Sequence, residues 1–155
     1  MSFMNHVKDP EKHRQYIPKF SEKYSGKSLP VCRSEWEYKF MKWCDMNVSI
    51  IKWASEPIAI EYYDPVRQKN RRYYPDFLLR IKDKDGKETN MLVEIKPYKE
   101  TIPPVRTKGK SEKTMLHEAT TYMTNVAKWK AAISHCKKYN MGFKLLTEKD
   151  LFIKG

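Results

Sequence analysis

The sequence predicts an α/β domain, a mixed sheet flanked by helices in the order α-β-β-β-α-β. Three observations carry that prediction. A capping box followed by helical apolar spacing opens at Ser34. Three β-rich runs follow between Ile58 and Lys96, the last two joined through an Asp-Gly turn. A long helical stretch from Glu112 then leads to a short terminal strand. A hairpin pair followed by a helical crossover and a returning strand puts parallel and antiparallel neighbours in one sheet.

In Ser34-Glu35-Trp36-Glu37, the Ser hydroxyl and the Glu carboxylate are spaced to satisfy orphan N–H groups of a first helical turn. Trp36, Phe40, Trp43 and Cys44 recur at helical spacing, which predicts about three turns ending near Met46-Asn47. Ile50-Ile51-Lys52-Trp53 and a break at Glu56-Pro57 come next. Ile58, Ile60 and Tyr62 then alternate with Ala59, Glu61 and Tyr63, the period of a strand. Asp64 to Asn70 reads as a polar turn and Arg71 to Ile81 as the second strand. Lys82 to Lys87, with Asp85-Gly86, is a hairpin loop. Met91 to Lys96 is the third strand, stopped by Pro97.

Tyr98 to Lys110 is a basic connection with Pro103-Pro104 and Gly109, expected to be mobile. A long helix is predicted over Glu112 to Tyr139, with Leu116, Ala119, Met123, Val126 and Ala127 among its apolar positions. Asn140 and Gly142 are stop signals, and Phe143 to Thr147 makes the last strand. Residues 1–31 are polar and interrupted by Pro10, Pro18, Gly26 and Pro30; they read as a basic arm, leaving 32–155 as the domain.

Composition narrows the function. The 155 residues carry 31 Lys+Arg against 19 Asp+Glu, a formal net charge of +12, which points to a polyanionic partner and to nucleic acid before acidic lipid. A chain of this length buries roughly 70% of its unfolded surface and can build one core without staples. Four Trp, ten Tyr and six Phe argue against a disordered basic tail. No apolar run approaches a membrane span and Met1 to Lys12 has no signal-peptide core, so neither a membrane protein nor a secreted scaffold is expected. Cys32, Cys44 and Cys136 lack C-x-x-C spacing and read as reduced packing residues, and the four histidines form no zinc-binding pair.

The chemistry concentrates in Pro75-Asp76 and Glu94-Ile95-Lys96. A proline within a strand belongs at an edge, bulge or splayed point, because it removes a ladder donor. Glu94 and Lys96 are two apart and share a sheet face, with Ile95 pointing to the other. If the second and third strands pair, Asp76 reaches the Glu94 face, and two carboxylates converge beside an ammonium. Hard oxygen donors of this kind suit Mg²⁺ or Mn²⁺. Taken alone the string is weak, since E-x-K recurs at Glu37-Tyr38-Lys39. A pair of strands with ordinary solvated charges is the plain alternative.

Arg33-Ser34-x-x-Glu37, Ser55-Glu56-Pro57, Arg71-Arg72-Tyr73-x-Pro75-Asp76-Phe77 and Val93-Glu94-Ile95-Lys96-Pro97 resemble the PD-(D/E)XK nuclease superfamily. Within it the chain is similar to the branch of transposase endonuclease subunits and of small head-completion nucleases of contractile-tailed phages. The resemblance runs from about Tyr24 to Leu151, including Glu100-Thr101-x-Pro103-Pro104 and Lys128 to Ala132, and nothing is carried over to the residues before it. It implies a restriction-endonuclease-like core. By it Asp76, Glu94 and the Ile95 main-chain carbonyl hold Mg²⁺, with Mn²⁺ as a substitute, Lys96 is the catalytic lysine, and Glu37 is the helix-borne acidic residue.

The capping box by itself also accounts for Glu37, and Glu56 either pairs with a cation or lines the cleft. Arg71, Arg72, Lys99, Arg106, Lys108, Lys128 and Lys130 are the candidate phosphate contacts, against the plain reading of solvated charge. Tyr73, Tyr74 and Tyr98 are core residues or base-stacking platforms. The expected activity is metal-dependent endonucleolytic hydrolysis of duplex DNA, processing ends in phage head completion. Expected partners are DNA, head or portal proteins and a second copy of the chain, with action in the host cytoplasm or virion. A site-specific nuclease (transposase subunit, restriction or homing endonuclease, junction resolvase) and a non-cutting DNA-binding virion component are the alternatives.

Overall fold

The computed structural model describes residues 14–151. In chain order its elements are β1 (Arg14–Gln15), β2 (Val31–Cys32), α1 (Glu35–Met46), β3 (Ile50–Ser55), β4 (Ile60–Asp64), β5 (Lys69–Tyr73), β6 (Phe77–Lys82), β7 (Glu88–Ile95), α2 (Glu112–Lys138), β8 (Gly142–Leu146) and α3 (Glu148–Leu151). The central sheet runs β3-β6-β7-β8. Its first three strands are antiparallel, and β8 returns parallel to β7 after the α2 crossover. Counting only this sheet, the order is α-β-β-β-α-β, as predicted.

Which strands fill that order differs from the sequence reading. The first sheet strand is Ile50–Ser55, whereas the run expected to supply it, Ile58 to Tyr63, becomes β4 and pairs with β5 as a separate two-stranded sheet. The predicted strand Arg71 to Ile81 is two strands, broken at Tyr74–Asp76. Pro75 is the physical reason: it has no N–H for a ladder, and here the fully buried proline turns the chain out of the hairpin and into the sheet. Asp76 therefore stands just before β6 and not inside a strand.

α1 begins as its capping residues dictate. Ser34 Oγ accepts the Glu37 N–H at 3.1 Å, but the Glu37 carboxylate reaches past the cap to the N–H of Arg33 at 3.2 Å. The helix buries Trp36, Phe40, Met41 and Cys44. Trp43, expected on that stripe, is 49% exposed and only leans on Phe40. One residue turns a helix by about 100°, which carries Trp43 off the face that Met41 and Cys44 share. At the other end, Lys23 Nζ donates to the carbonyls of Cys44, Asp45 and Asn47, each at 2.8 Å, capping the helix where its dipole favours a cation.

Residues 14–31, expected within a basic arm, run over α1 and β3; residues 1–13 of that stretch lie outside the described residues. Tyr16 is in the core, and Asp45, fully buried, accepts its hydroxyl at 2.7 Å and the N–H groups of Lys19 and Phe20 at 2.7 and 3.0 Å. A buried carboxylate with three donors is a strong anchor, and it is what draws this polar stretch onto the domain.

The sheet has a core on each face. Trp53, Phe77, Leu79, Val93 and Ile95 meet α1 and Tyr16 on one side. Leu92 meets Trp129, Ala132 and Cys136 of α2, with Ile60, Tyr62 and Tyr73 of the hairpin, on the other. Leu116 and Met123, read as apolar positions of α2, are 66% and 49% exposed, because they lie about 160–180° round the helix from Asn125 on its buried stripe. All three cysteines are free and buried. Among the described residues no helix is long and apolar enough to cross a membrane.

Candidate active site

The chemistry-bearing side chains gather where β6 begins and β7 ends. Asp76 Oδ2 accepts the N–H of Ile95 at 2.8 Å, and the Asp76 carbonyl accepts the N–H of Glu56 at 2.8 Å. Glu94 and Lys96 project from one face, as strand alternation requires, with Lys96 Nζ 3.8 Å from Glu94 Oε2. Tyr73, at the end of β5, donates its hydroxyl to Glu94 Oε1 at 2.9 Å. One Glu94 oxygen thus takes a phenol and the other an ammonium. Ile95, between them, is buried in the opposite core.

α1 contributes the second wall. Glu37 is 5% exposed and lies 3.6 Å from Arg33, whose guanidinium also pairs with Glu56. Glu56 adopts a left-handed backbone, φ 45°, where the chain leaves β3. The sequence reading offered Glu56 as either a salt bridge or a cleft residue; it is in the salt bridge.

Burial and mutual repulsion set the electrostatics. Burial raises the Glu37 carboxyl to about 7, against the pull of Arg33 and with a further push from Asp76. Burial also raises Asp76, opposed by the Ile95 N–H and by Lys96 and Arg33. Glu94 is raised by burial and then by Asp76, against Lys96 and Tyr73. Tyr73 is raised by burial and by Glu94, so it stays a protonated donor. Lys128 of α2 is lowered, first by burial and then by Lys96.

Two desolvated carboxylates, one of which (Asp76) further raises the proton affinity of the other (Glu94), are a site that a hard dication would relieve. Among the described residues no three His, Cys, Asp or Glu side chains gather into a full metal cage. Asp76 and Glu94 are hard oxygen donors, the kind of which Mg²⁺ takes one or two while keeping several waters, so the donor chemistry fits that ion.

The candidate phosphate contacts are scattered. Lys128 is half-buried beside the site, its Nζ 5.8 Å from the Tyr73 ring centre and 5.9 Å from that of Tyr62. Lys130, about 200° further round the helix, is exposed. Arg71 lies 3.4 Å from Asp64, and Arg72 is exposed on the same hairpin. Lys99 and Lys108 are exposed in the connection after β7, where Arg106 pairs with Glu112 of α2. That connection, expected to be mobile, is tied to α2 a second time by Lys110 and Glu118 at 2.7 Å.

Sequence reasoning missed three groups. Arg33 enters the sequence reading only within a motif, although its place four residues before Glu37 is a helical ion-pair spacing. Tyr73 was weighed as core or stacking residue, and nothing local signals its bond to Glu94. Asp64, fully buried, holds the hairpin turn through the N–H groups of Val66 and Arg67 at 2.9 and 3.2 Å. An Asp opening a Pro-containing turn carries that signal.

Two similarities bear on this geometry. Residues 47–148 match the family described as TnsA-like endonuclease N terminal, a span that contains Asp76, Glu94 and Lys96 and begins downstream of Glu37. The chain is also 39% identical over 145 residues to the head completion nuclease of Enterobacteria phage T4, covering 91% of this chain and 94% of that protein.

Proposed function

The chain belongs to the TnsA-like endonuclease N-terminal family, and from that membership we propose a particular activity: Mg²⁺-dependent hydrolysis of duplex DNA, processing DNA ends during phage head completion. Endonuclease chemistry is the family's, and similarity to a head completion nuclease along nearly the whole chain supports the biological role. On this reading the working partners are DNA and head or portal proteins. The observation that carries it is the convergence of Asp76 and Glu94 about the Ile95 main chain, with the Lys96 ammonium 3.8 Å from Glu94.

Asp76 and Glu94 would hold the metal. The Ile95 carbonyl would be a third donor, since an extended residue presents its N–H and C=O to the same edge and the Ile95 N–H faces Asp76. A hard dication supplies, when bound, Lewis acidity toward a water and toward the departing alkoxide. Lys96 brings a positive charge against a phosphate oxygen and opposes the charge building on phosphorus. Tyr73 fixes the Glu94 side chain so that its second oxygen stays directed at Lys96. Glu37, held by Arg33, adds the carboxylate of the α1 wall. The cysteines are poor candidates for a covalent nucleophile, since burial raises Cys32 to about 11 and raises Cys44 and Cys136 as well.

The test incubates the protein with supercoiled and linear duplex under Mg²⁺, Mn²⁺ or EDTA, alongside Asp76→Ala and Lys96→Ala. Metal-dependent cutting that both substitutions abolish is expected. DNA bound but never cut, under either metal, would overturn the catalytic reading in favour of a structural DNA-binding role. A fixed pattern on random-sequence duplex would move the assignment to a site-specific nuclease.

A further inference from the structure

Two open clefts meet on the N-terminal half of α2. His117, Thr121, Asn125 and Lys128 fall at helical spacing along one stripe, and the first three line both clefts. The cleft toward the β4–β5 hairpin, about 340 Å³, is polar: Arg67, Arg71, Arg72 and Lys128 face it, with the hydroxyls of Thr120 and Thr124. The cleft toward the connection after β7, about 510 Å³, has an apolar wall of Ile102, Pro103, Pro104 and Val105 with Tyr122. Cationic and hydroxyl groups on one side and flat apolar surface on the other match the two halves of a nucleotide, phosphate and base.

Asn125 stands between them. It is 5% exposed, and its carboxamide makes no hydrogen bond with another described residue. Its amide atoms keep access to solvent where the side chain lines both clefts, so its donor and acceptor are free to pair with whatever enters. With donor and acceptor in one plane, it suits a base edge or a sugar-phosphate oxygen.

Both walls are braced. Asp64 takes Arg67 at 3.1 Å and Arg71 at 3.4 Å, which leaves each guanidinium further donors for an anion. Lys110 and Glu118 hold the opposite wall to the helix. The stripe ends at Lys128, beside Tyr73, which bonds to Glu94. Clefts of a few hundred Å³ take a small ligand, hence one or two nucleotides of a single strand and not a turn of duplex.

We propose that this stripe of α2 is a binding site for an unpaired DNA strand, with phosphates against the hairpin arginines, a base against the proline-rich wall and Asn125 between them. The proposal rests on the nuclease reading for its substrate. It implies a substrate that is unpaired next to the cut, as at an overhang, a flap or a frayed end.

The test measures fluorescence anisotropy of a labelled single strand of about 10 nucleotides, with blunt and overhanging duplexes as competitors. EDTA keeps binding separate from cutting. Thr121→Glu puts a negative charge on the stripe, Arg72→Ala removes a cation from the exposed hairpin, and Thr89→Glu, at the opposite end of β7, is the control of equal charge change. Expected are about ten-fold weaker single-strand binding for the first two, none for the control, and better competition by the overhanging duplex than by the blunt one. Equal competition by both duplexes, or single-strand binding indifferent to Thr121→Glu and Arg72→Ala, would overturn the proposal. Asp76→Ala keeps this binding. A wild-type protein that bound the strand but cut nothing would sink the nuclease reading alone, and cutting without strand preference would sink the cleft alone.

Discussion

Tyr73 Oη lies 2.9 Å from Glu94 Oε1, and this bond joins the β4–β5 hairpin to the carboxylate at the end of β7. The two residues belong to different sheets. The hairpin that carries Arg67, Arg71 and Arg72 is therefore coupled to the candidate metal site through one buried phenol.

Tyr73→Phe removes that donor and nothing else of the side chain's shape. A hydrogen bond to a charged partner contributes roughly 1.5–3 kcal/mol to stability, so urea unfolding should show a loss of about that size. Cleavage should fall because Glu94 loses the phenol that orients it. Full activity in Tyr73→Phe would show that Glu94 holds its orientation without the phenol.

Glu37 gives a pH dependence whose sign follows from burial. Its carboxyl is raised from 4.5 to about 7, so the folded chain binds more protons than the unfolded chain across that window. The stabilisation is complete below pH 4.5 and is lost as pH rises through 7. Metal-free protein should melt at a lower temperature at the upper end of that window than at the lower. Glu37→Gln should flatten the slope, by thermal melts in matched buffers.

Divalent metal should stabilise the fold most where the carboxylates are ionised, because binding competes with protons at Asp76 and Glu94, both raised. Addition of Mg²⁺ should raise Tm, more so in alkaline than in acidic buffer. Asp76→Asn should abolish the gain, as differential scanning calorimetry would record.

Asp45→Ala should detach residues 14–20 from α1. Three donors, the buried Tyr16 Oη and the part-buried N–H groups of Lys19 and Phe20, would lose their acceptor. A loss of roughly 1–3 kcal/mol is expected, mostly from the stranded phenol. Limited proteolysis should then cut near Lys19 well before the rest of the domain.

Much of the site was legible because local periodicity is a strong constraint. Two residues apart on a strand means one face, so Glu94 and Lys96 were bound to be neighbours and Ile95 to oppose them. Ser34 and Glu37 announced the start of α1 through the spacing of a first turn. Trp43 and Met123 depart from the reading because apolar character at helical spacing does not say which side of the stripe faces the core.

What the sequence by itself determined is therefore the set of groups: a helix at Ser34, an E-x-K strand end, a Pro-Asp within a β-rich run, and a surplus of positive charge. Only the tertiary structure decided their partners. Alternation within Ile58 to Tyr63 says that one side is buried, but not that the strand leaves the central sheet to pair with β5. Pairing of distant strands depends on contacts that no local window contains. The same holds for Arg33 pairing with Glu56, for Asp76 reaching the Ile95 N–H, and for Tyr73 meeting Glu94. Each joins residues from separate elements, and their proximity is a product of how the sheet, the hairpin and two helices close around one another.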